Sequence, residues 1–503
     1  MSTIRRQSII SSGIVYFGFA LGFINTYLFT RQGGFSDSQY GLLGTFNAIS
    51  SVMLSFAGLG MQAYIYKFFP YYSHNLPADR NDMISWALIT SMIGFALVTI
   101  GGYVFRSLVI RKYGANSPDL VKYYYWIFPF GFGLTMYSLL EAYAWQLKKS
   151  VLTNFLREVQ FRVFTFVLIC FSMLGLIRSF DLFIRIYSFA YILLAVILFC
   201  WLLFSRSIHL TLTPSRVTKK FLKKIFTLAA FVWSGNLISN IANVFDVLVI
   251  AAVMPRGLAY AGVFTLAQYI GSLIQAPQRS IVSASMGPLS QAWKDKDLQK
   301  INRIYHRSSI NQLAFAAGMF VLIWINFRDG VITFHLKEEY LEAQHVFLFL
   351  GILRVIDMGT GLNSQIIATS TFWRFEFFTG LILLAFSLPL NYVLTKQLGV
   401  VGPAIATLIA LMIYNSIRYI FLWRKFGMQP FTRQSIYTLL LALTGYFVCY
   451  FLFSGLHGFI WIALRSLLFL VIYLGGIVYL NISPDFFPVI ATIRKRLGLK
   501  HDK

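Results

Sequence analysis

The feature that most constrains this 503-residue chain is a repeated pattern of apolar runs, separated by short polar breaks. The runs are about 20 residues or longer, the length of a helix that crosses a bilayer. Only 12% of the residues are charged, whereas soluble domains carry roughly 25%. Barrel strands would instead alternate over segments of about ten residues. The sequence therefore predicts an all-α polytopic membrane protein, since helices satisfy their own backbone hydrogen bonds in lipid.

We expect about fourteen transmembrane helices. No loop between them exceeds roughly 20 residues, which leaves no room for a soluble domain. Function must therefore lie within the helical bundle or at its two mouths. The predicted spans cover residues 9–30, 40–66, 83–105, 123–146, 152–177, 182–204, 226–251, 259–287, 308–327, 343–369, 373–395, 399–423, 434–455 and 459–481.

The net charge of +25 is scattered among these short loops. No aromatic-interleaved basic domain accompanies it, so a nucleic-acid partner is not expected. The positive-inside rule explains the charge better. Basic residues concentrate in the loop 205–225 and the tail 484–503, acidic ones in the loop 328–342, and only the loop 106–122 disagrees. We therefore expect a multi-pass membrane protein with both termini cytoplasmic.

An internal repeat suggests how the spans are grouped. Tyr40–Gly44 and Tyr260–Phe264 each open a long, Ser/Gly-rich span, six spans apart. Six is even, so the copies share orientation, as in transporters built from parallel repeats. Chance similarity of two apolar runs is the alternative. The expected organisation is two six-helix lobes related by a parallel pseudo-two-fold axis, followed by two C-terminal helices: N-lobe 1–204, basic linker 205–225, C-lobe 226–430, spans thirteen and fourteen 431–483, and basic cytoplasmic tail 484–503.

The sequence shows few features of an enzyme or a metalloprotein. Cys170, Cys200 and Cys449 all lie in apolar runs and have no metal-binding spacing, so they are predicted to be small core residues. Gly-rich phosphate loops, zinc motifs and nucleophile elbows are also missing. No catalytic residue, cofactor or metal site is predicted.

Polar residues recur at helical spacing in three spans, so each set lies on one helix face. Three such stripes predict a hydrated cleft between the halves of the protein. The alternative is ordinary hydrogen bonding between packed spans. The stripes are Asn236, Asn240, Asn243 and Asp246 in span seven; Gln268, Ser272, Gln275 and Arg279 in span eight; and Asn47, Ser51, Ser55, Gly58 and Gln62 in span two.

Charges inside spans are expensive and are functional candidates by default. Arg162 lies four residues after Glu158, and Arg354 lies three residues before Asp357. Such pairs can neutralise each other, so both structural and functional roles stay open. Glu141 has no opposite charge at these spacings, which suits a proton-linked step. Its alternative is a structural pair with Arg162 of the next span.

Two further charged positions have simpler expectations. Glu376 lacks a close local partner, and Arg418 lies near a span end, from which its side chain can snorkel to the interface. Arg279 has no acid three or four residues away, so it is either a ligand for an anion or another snorkelling side chain.

Several segments resemble a known family. Asn243–Ile250 carries an Asp late in span seven, Gly287–Ser290 ends span eight, and Asn391–Leu394 precedes Leu398–Thr407 with its Gly-x-Ala-Ile-Ala-Thr pattern. With the span count, these segments resemble the multidrug/oligosaccharidyl-lipid/polysaccharide (MOP) flippase superfamily, specifically its polysaccharide-transporter, Wzx-like branch. Pro403 departs from the small residue that the family commonly has there.

The resemblance implies a flippase for polyprenyl-diphosphate-linked oligosaccharide, such as an O-antigen, capsule or exopolysaccharide repeat unit. A diphosphate needs cations and a sugar needs amides and hydroxyls. The expected partners are that lipid-linked oligosaccharide, membrane lipids, a coupling proton or sodium ion, and polysaccharide-assembly proteins. The expected cavity residues are Arg279, Arg162, Arg354, Asn240, Asn243, Asp246, Gln268, Gln275 and Asn47, with Glu141 as coupling candidate.

Two alternatives remain open. The first is a drug or metabolite exporter of the same superfamily, although cationic drugs favour acidic cavities. The second is a membrane enzyme of polysaccharide assembly. Such enzymes usually present catalytic groups on a large outside loop, and the loop 328–342 is short.

Overall fold

The computed structural model describes residues 3–483, without the side chains of residues 3–12, Ala78, Arg279, Ser280, Ser283, Ala284 and Trp373. The predicted basic tail 484–503 lies outside the described residues. Throughout the described part the regular elements are helices and no strand occurs, as predicted. The chain forms two compact units, Met1–Gly262 and Val263–Lys503.

In the first unit, a capping box marks the N-terminus of the second helix. Ser36 and Gln39 form a reciprocal capping box, in which Ser36 Oγ accepts from the Gln39 amide at 3.1 Å and Gln39 Oε1 accepts from the Ser36 amide at 2.9 Å. The helices are α1 (Thr3–Thr30), α2 (Asp37–Ala57), α3 (Met61–Asn75), α4 (Met83–Val104), α5 (Arg106–Tyr113), α6 (Pro118–Lys122), α7 (Ile127–Gln146), α8 (Ser150–Asn154), a π-helical segment (Phe155–Gln160), α9 (Phe161–Met173), α10 (Phe180–Tyr187), α11 (Ala190–Phe204), α12 (Arg216–Val253) and the start of α13 (Gly257–Ile274).

The second unit begins within α13, immediately after Gly262. Two of its helices end at glycines of positive φ, Gly399 at +63° and Gly427 at +67°, where glycine costs no steric strain. The remaining helices are α14 (Ala276–Lys294), α15 (Leu298–Thr333), α16 (Ala343–Gly359), α17 (Asn363–Thr369), α18 (Trp373–Leu398), α19 (Gly402–Phe426), α20 (Arg433–Leu452) and α21 (Phe459–Tyr479).

Each predicted span coincides with a helix or with a broken helix. By length and hydropathy, ten described helices can cross a membrane, or up to 11 if the segments 338–359 and 363–369, bent by 46°, form one span. Many large apolar side chains are exposed along these helices, as lipid-facing residues must be. The chain is a multi-pass membrane protein.

Several predicted spans contain breaks, and two of these breaks lie in the polar stripes. Span two is interrupted between α2 and α3 by a turn at residues 58–60, and span eight is interrupted at Gln275 between α13 and α14. Pro277 follows the second break and cannot donate a backbone hydrogen bond. The regular stripe spacing used for span eight therefore does not hold across Gln275.

The second half of the predicted linker 205–225 is helical in the structure. It forms the start of α12, at Arg216. Ser215 caps this helix by accepting a hydrogen bond from the Thr218 amide at 3.2 Å. A helix rich in lysine can continue beyond the apolar region, because its backbone is already satisfied. The hydropathy of a run therefore underestimates the length of its helix.

The last two helices pack on α15. Ala314 and Ala317 of α15 lie in one buried cluster with Cys449 of α20 and with Phe469 and Tyr473 of α21. Tyr473 donates from its hydroxyl to the Ala314 carbonyl at 2.8 Å. Small residues on α15 thus let two helices approach closely. The prediction of Cys449 as a core residue is confirmed, whereas Cys170 and Cys200 are only partly buried.

Candidate functional site: a polar cavity beside a broken helix

The break between α2 and α3 determines how closely α12 can approach them. Gly60 adopts φ +73°, and Leu59 adopts φ +42°. A Cβ on Gly60 would lie only 2.8 Å from the Cα of Ala229 on α12. Any residue other than glycine would therefore be strained and would push α12 away. The break is a site of close helix approach.

A cavity of about 280 Å³ opens beside this break, between α2, α3 and α12. Its volume is at the small end of ligand pockets, which range from about 300 to 1,000 Å³. None of its lining residues is ionisable. They are Leu54, Ser55, Gly58, Gly60, Met61, Gln62, Trp233, Asn236, Ser239, Asn240 and Asn243.

Some polar groups in the lining hold helices together. Asn240 donates from Nδ2 to the Ser51 carbonyl at 3.0 Å and to Ser55 Oγ. Gln62 donates from Nε2 to the Ser138 carbonyl of α7 at 3.2 Å. Asn240 therefore does what the alternative interpretation of the stripes expected, because it hydrogen-bonds between packed spans. It also lines the cavity. These bonds fix two walls of the cavity.

Other polar groups in the lining are not engaged by the protein. Within the described part of the chain, the side chains of Asn236, Ser239 and Asn243 make no hydrogen bond to another protein group. The indole Nε1 of Trp233 is shielded from solvent and also has no partner there. Asn236, Ser239 and Asn243 are exposed, so a ligand in the cavity can reach their amide and hydroxyl groups.

The N-terminal part of α12 is anchored to α3 and to the residue before α4 by a buried polar network. Asp82 is fully buried, and its Oδ2 accepts from the Ser215 amide at 2.8 Å and from Thr218 Oγ1 at 2.7 Å. Tyr72 OH lies 2.7 Å from Thr218 Oγ1, and Tyr64 OH donates to Tyr72 OH at 2.8 Å. Burial raises the pKa of the Tyr72 phenol, so it stays a neutral hydrogen-bonding group.

The other end of α12 is anchored by the segment before α6. Asn116 donates from Nδ2 to the Ala252 carbonyl at 2.8 Å, and Ser117 donates from Oγ to the Ala251 carbonyl at 2.6 Å. These two side chains satisfy carbonyls that the helix end would leave unpaired. The helix that supplies most of the cavity's amides is thus held at both ends.

Two predicted cavity residues lie elsewhere. Asn47 donates to the Leu43 carbonyl of its own helix at 3.0 Å, and Asp246 is buried on α12. Neither lines the cavity. The polar stripes of spans two and seven therefore meet at the cavity. Span two contributes Ser55–Gln62, and span seven contributes Asn236–Asn243.

The charged residues of spans four and five form two pairs beside the π-helical segment. Glu141, 4% exposed, accepts a hydrogen bond on Oε2 from Arg157 Nη1 at 3.0 Å. Arg162 pairs with Glu158, as its spacing allowed, and donates to the Glu158 carbonyl at 2.7 Å. The expectation that Arg162 would partner Glu141 is wrong. The π-helical turn changes which side chains face α7, and only a structure shows that change.

Charges in the second unit are paired over long sequence distances. Glu376 of α18 pairs with Arg418 of α19, and Ser364 donates to Glu376 Oε1 at 2.7 Å. Arg418 is 4% exposed, so the prediction that it snorkels is wrong. The sequence analysis looked for opposite charges only three or four residues away on the same helix, so it could not find Arg418 as the partner of Glu376.

Asp357 accepts hydrogen bonds from amides of two other helices. The donors are Gln278 Nε2 at 3.3 Å and Asn415 Nδ2 at 3.2 Å. Arg354 lies on the same helix, α16. The Asp357 carboxylate is thus part of an amide network, and the expected role of Arg354 in a cavity stays a prediction.

The stripe of span eight is divided by the helix break. Gln268 and Ser272 lie on α13, Gln275 lies at the break, and Arg279 lies on α14. The Arg279 side chain is outside the part that the structure describes. The functional roles of Gln268, Gln275 and Arg279 therefore stay predictions. Among the described residues, no group of three His, Cys, Asp or Glu side chains could hold a metal ion.

Comparisons with known proteins give the fold. No protein-family model matches the sequence, and no curated protein matches it. A lipid II flippase MurJ in an inward closed conformation superposes with a TM-score of 0.66 at 17% identity, covering 94% of this chain and 99% of the other. An inward-facing multidrug resistance MATE family transporter of the MOP superfamily gives 0.63 at 15% identity, covering 83% and 94%. The bent form of the Vibrio cholerae MATE transporter VcmN gives 0.53 at 14% identity, covering 84% and 97%. The chain therefore has the fold shared by these flippase and multidrug-transporter structures.

Proposed function

We propose that this protein is a flippase that moves polyprenyl-diphosphate-linked oligosaccharide across the bacterial inner membrane by alternating access. The observation that carries the proposal is the extent of the shared fold. The lipid II flippase covers 94% of this chain, whereas the two MATE structures described above cover 83% and 84%. The sequence resemblance to polysaccharide transporters supports the same substrate class.

The chemistry of the cavity agrees with a substrate that carries sugars. Its described lining offers amides and hydroxyls but no carboxylate. A cationic drug would find no opposite charge there, and only the ring of Trp233 could attract it. The proposed cations for the diphosphate are Arg279 and Arg354. Arg162 is a weaker candidate, since Glu158 already pairs with it.

The second candidate function is multidrug export. The overall agreement with the inward-facing MATE transporter, a TM-score of 0.63, supports it on the basis of fold. A membrane enzyme of polysaccharide assembly is the third and least supported candidate, because the solved structures with this fold reported above are transporters and a flippase.

The remaining features of the proposal concern topology, coupling and partners. Both termini would lie in the cytoplasm, where the lipid-linked substrate is made. Glu141 would carry a coupling proton, with sodium as the alternative ion. Polysaccharide-assembly proteins would receive the product.

The test is transport by the purified full chain in proteoliposomes. One set carries a fluorescent polyprenyl-diphosphate oligosaccharide, and an impermeant quencher reports how much reaches the other leaflet. A second set carries ethidium and measures its efflux. Protein-dependent movement of the lipid-linked glycan without ethidium efflux is expected. Ethidium efflux without glycan movement would replace the proposal by multidrug export.

A further inference from the structure

We infer that the cavity between α2, α3 and α12 is a glycan subsite, which binds the sugar nearest the diphosphate through Trp233, Asn236 and Asn243. The inference rests on the proposed function and deepens it, because it separates the place where sugar is recognised from the place where diphosphate is bound. Neither the sequence resemblance nor the fold comparison assigns a ligand to Trp233 or Asn236.

The charge of the lining determines which part of the substrate fits. None of the cavity's lining residues is ionisable, whereas a diphosphate binds best to arginine or lysine. A purely apolar lipid chain is also a poor occupant. It would cover the free groups of Asn236, Ser239 and Asn243 without offering them hydrogen bonds, and unpaired polar groups in a dry site are costly. A neutral, polar ligand remains.

The chemistry of the free side chains limits the chemical class of that ligand further. An asparagine amide carries both a donor and an acceptor, and so does each sugar hydroxyl. Asn236 and Asn243 therefore match a polyhydroxylated ring, as does the Ser239 hydroxyl. Trp233, which also lines the cavity, adds a flat apolar ring surface on which a sugar ring can pack.

The walls of the cavity are fixed before any ligand arrives. Asn240 bonds α12 to α2 at the Ser51 carbonyl, 3.0 Å away. Gly60 brings the turn against Ala229. A preorganised site loses less free energy on ordering when it binds, so the free amides are held where a sugar ring can use them.

The experiment measures binding of two ligand types to the full chain in lipid nanodiscs. One is polyprenyl diphosphate without sugar. The other is the same lipid carrying a single N-acetylglucosamine, N-acetylgalactosamine, glucose or galactose. The tightest of the four should bind about tenfold better than the bare lipid, which corresponds to about 1.4 kcal/mol. If none of the four binds better than the bare lipid, the inference is wrong.

Variants locate the sugar-dependent gain. Trp233→Ala and Asn243→Ala should each reduce the tenfold gain to about two- or threefold and leave the affinity for the bare lipid unchanged. Phe231→Ala is the matched control, because this aromatic residue lies two positions earlier on α12, on the opposite helix face, and outside the lining. Trp233→Phe, which keeps a flat ring, should retain most of the gain.

The outcomes separate this inference from the proposed function. Equal loss of both ligand types in Trp233→Ala, or an unchanged gain, would show that the cavity does not recognise sugar. If the wild-type protein binds neither the bare nor the sugar-bearing lipid, the proposed function itself fails.

Discussion

Arg465 of α21 and Asp329 of α15 form an ion pair with Nη1 and Oδ2 2.7 Å apart, and their side chains are only 8% and 6% exposed. Arg465 also donates to the Ile325 carbonyl at 2.8 Å and to the Leu456 carbonyl at 3.0 Å. The guanidinium is therefore satisfied on several sides, as a buried charge must be. The pair joins the last helix to α15.

Removal of Arg465 should destabilise the protein strongly. Arg465→Met leaves the Asp329 carboxylate buried without its main partner, and breaking such a pair costs about 3–5 kcal/mol. We expect a clearly lower melting temperature in detergent by scanning fluorimetry. His457→Ala is the control, because its ring is 61% exposed although Nδ1 lies 2.6 Å from Asp329 Oδ1, and it should cost about 1 kcal/mol or less. Equal shifts in the two variants would contradict this account.

Gly41 should tolerate no larger residue. A Cβ at Gly41 of α2 would overlap the Leu258 carbonyl of α13 and lie 2.7 Å from the Gly262 amide nitrogen. Both neighbours are backbone, which cannot give way as a flexible side chain can. Gly41→Ala should reduce the yield of monodisperse protein several-fold in fluorescence-detected gel filtration. Gly101→Ala should leave it unchanged, because a Cβ there meets nothing within 4 Å.

The same contact joins the two similar segments of the internal repeat. Tyr40–Gly44 and Tyr260–Phe264 were paired only by their similarity, yet Gly41 and Gly262 lie against each other. Glycines let two helices approach backbone to backbone, so a packing need explains why both openings carry one. The predicted pseudo-two-fold axis itself remains a prediction.

Helix positions could be predicted because lipid demands long apolar runs, and that demand is local. Breaks within a run are harder to predict, because a glycine such as Gly60 hardly changes the mean hydropathy of its run and only its φ of +73° reveals the turn. Charge pairing between helices depends on tertiary packing. Glu376 and Arg418 are 42 residues apart, and no periodicity within one helix connects them.

Part of the cavity lining lies on the predicted stripes. Asn240 and Asn243, expected as cavity residues, line the cavity, and their role in substrate binding stays a prediction. Trp233 was missed, because an aromatic residue in an apolar run carries no signal that separates a cavity wall from a lipid-facing surface. Its spacing of three residues from Asn236 could have placed it on the same stripe.

The predicted topology can be tested with single cysteines. Cys170, Cys200 and Cys449 are first replaced by alanine or serine. Cysteine at Lys220, exposed on α12, should react with an impermeant maleimide only after the cells are opened, because the positive-inside rule puts this basic segment in the cytoplasm. Cysteine at the exposed Glu338 should react in intact cells. Labelling of Lys220→Cys in intact cells would reverse the predicted topology.

Arg279 should need its guanidinium group if it binds the diphosphate. A planar fork can form two parallel hydrogen bonds with phosphate oxygens, and lysine cannot. Arg279→Lys should therefore transport at a clearly reduced rate and Arg279→Ala should fail, in surface-polysaccharide display by a strain lacking its own flippase. Protein abundance must be matched among strains. Full display by Arg279→Ala would exclude this residue from the substrate site, and full display by Arg279→Lys alone would favour snorkelling.

Glu141 should link transport to the proton gradient. Its Oε2 accepts from Arg157, while its Oε1 is shielded and has no hydrogen-bond partner in the described part of the chain. A proton on that oxygen would neutralise Glu141 and end its ion pair with Arg157, while Oε2 could still accept the hydrogen bond. Glutamine keeps the shape and an acceptor oxygen for Arg157 but cannot change its charge.

We therefore expect Glu141→Gln to move the fluorescent lipid-linked oligosaccharide in proteoliposomes at the same rate with and without a pH gradient. The wild-type protein should be faster with the gradient. Glu158→Gln is the matched control, because it changes the neighbouring pair with Arg162 and should keep the gradient dependence. If Glu141→Gln responds to the gradient as the wild type does, the carboxylate of Glu141 serves only to hold Arg157 against α7.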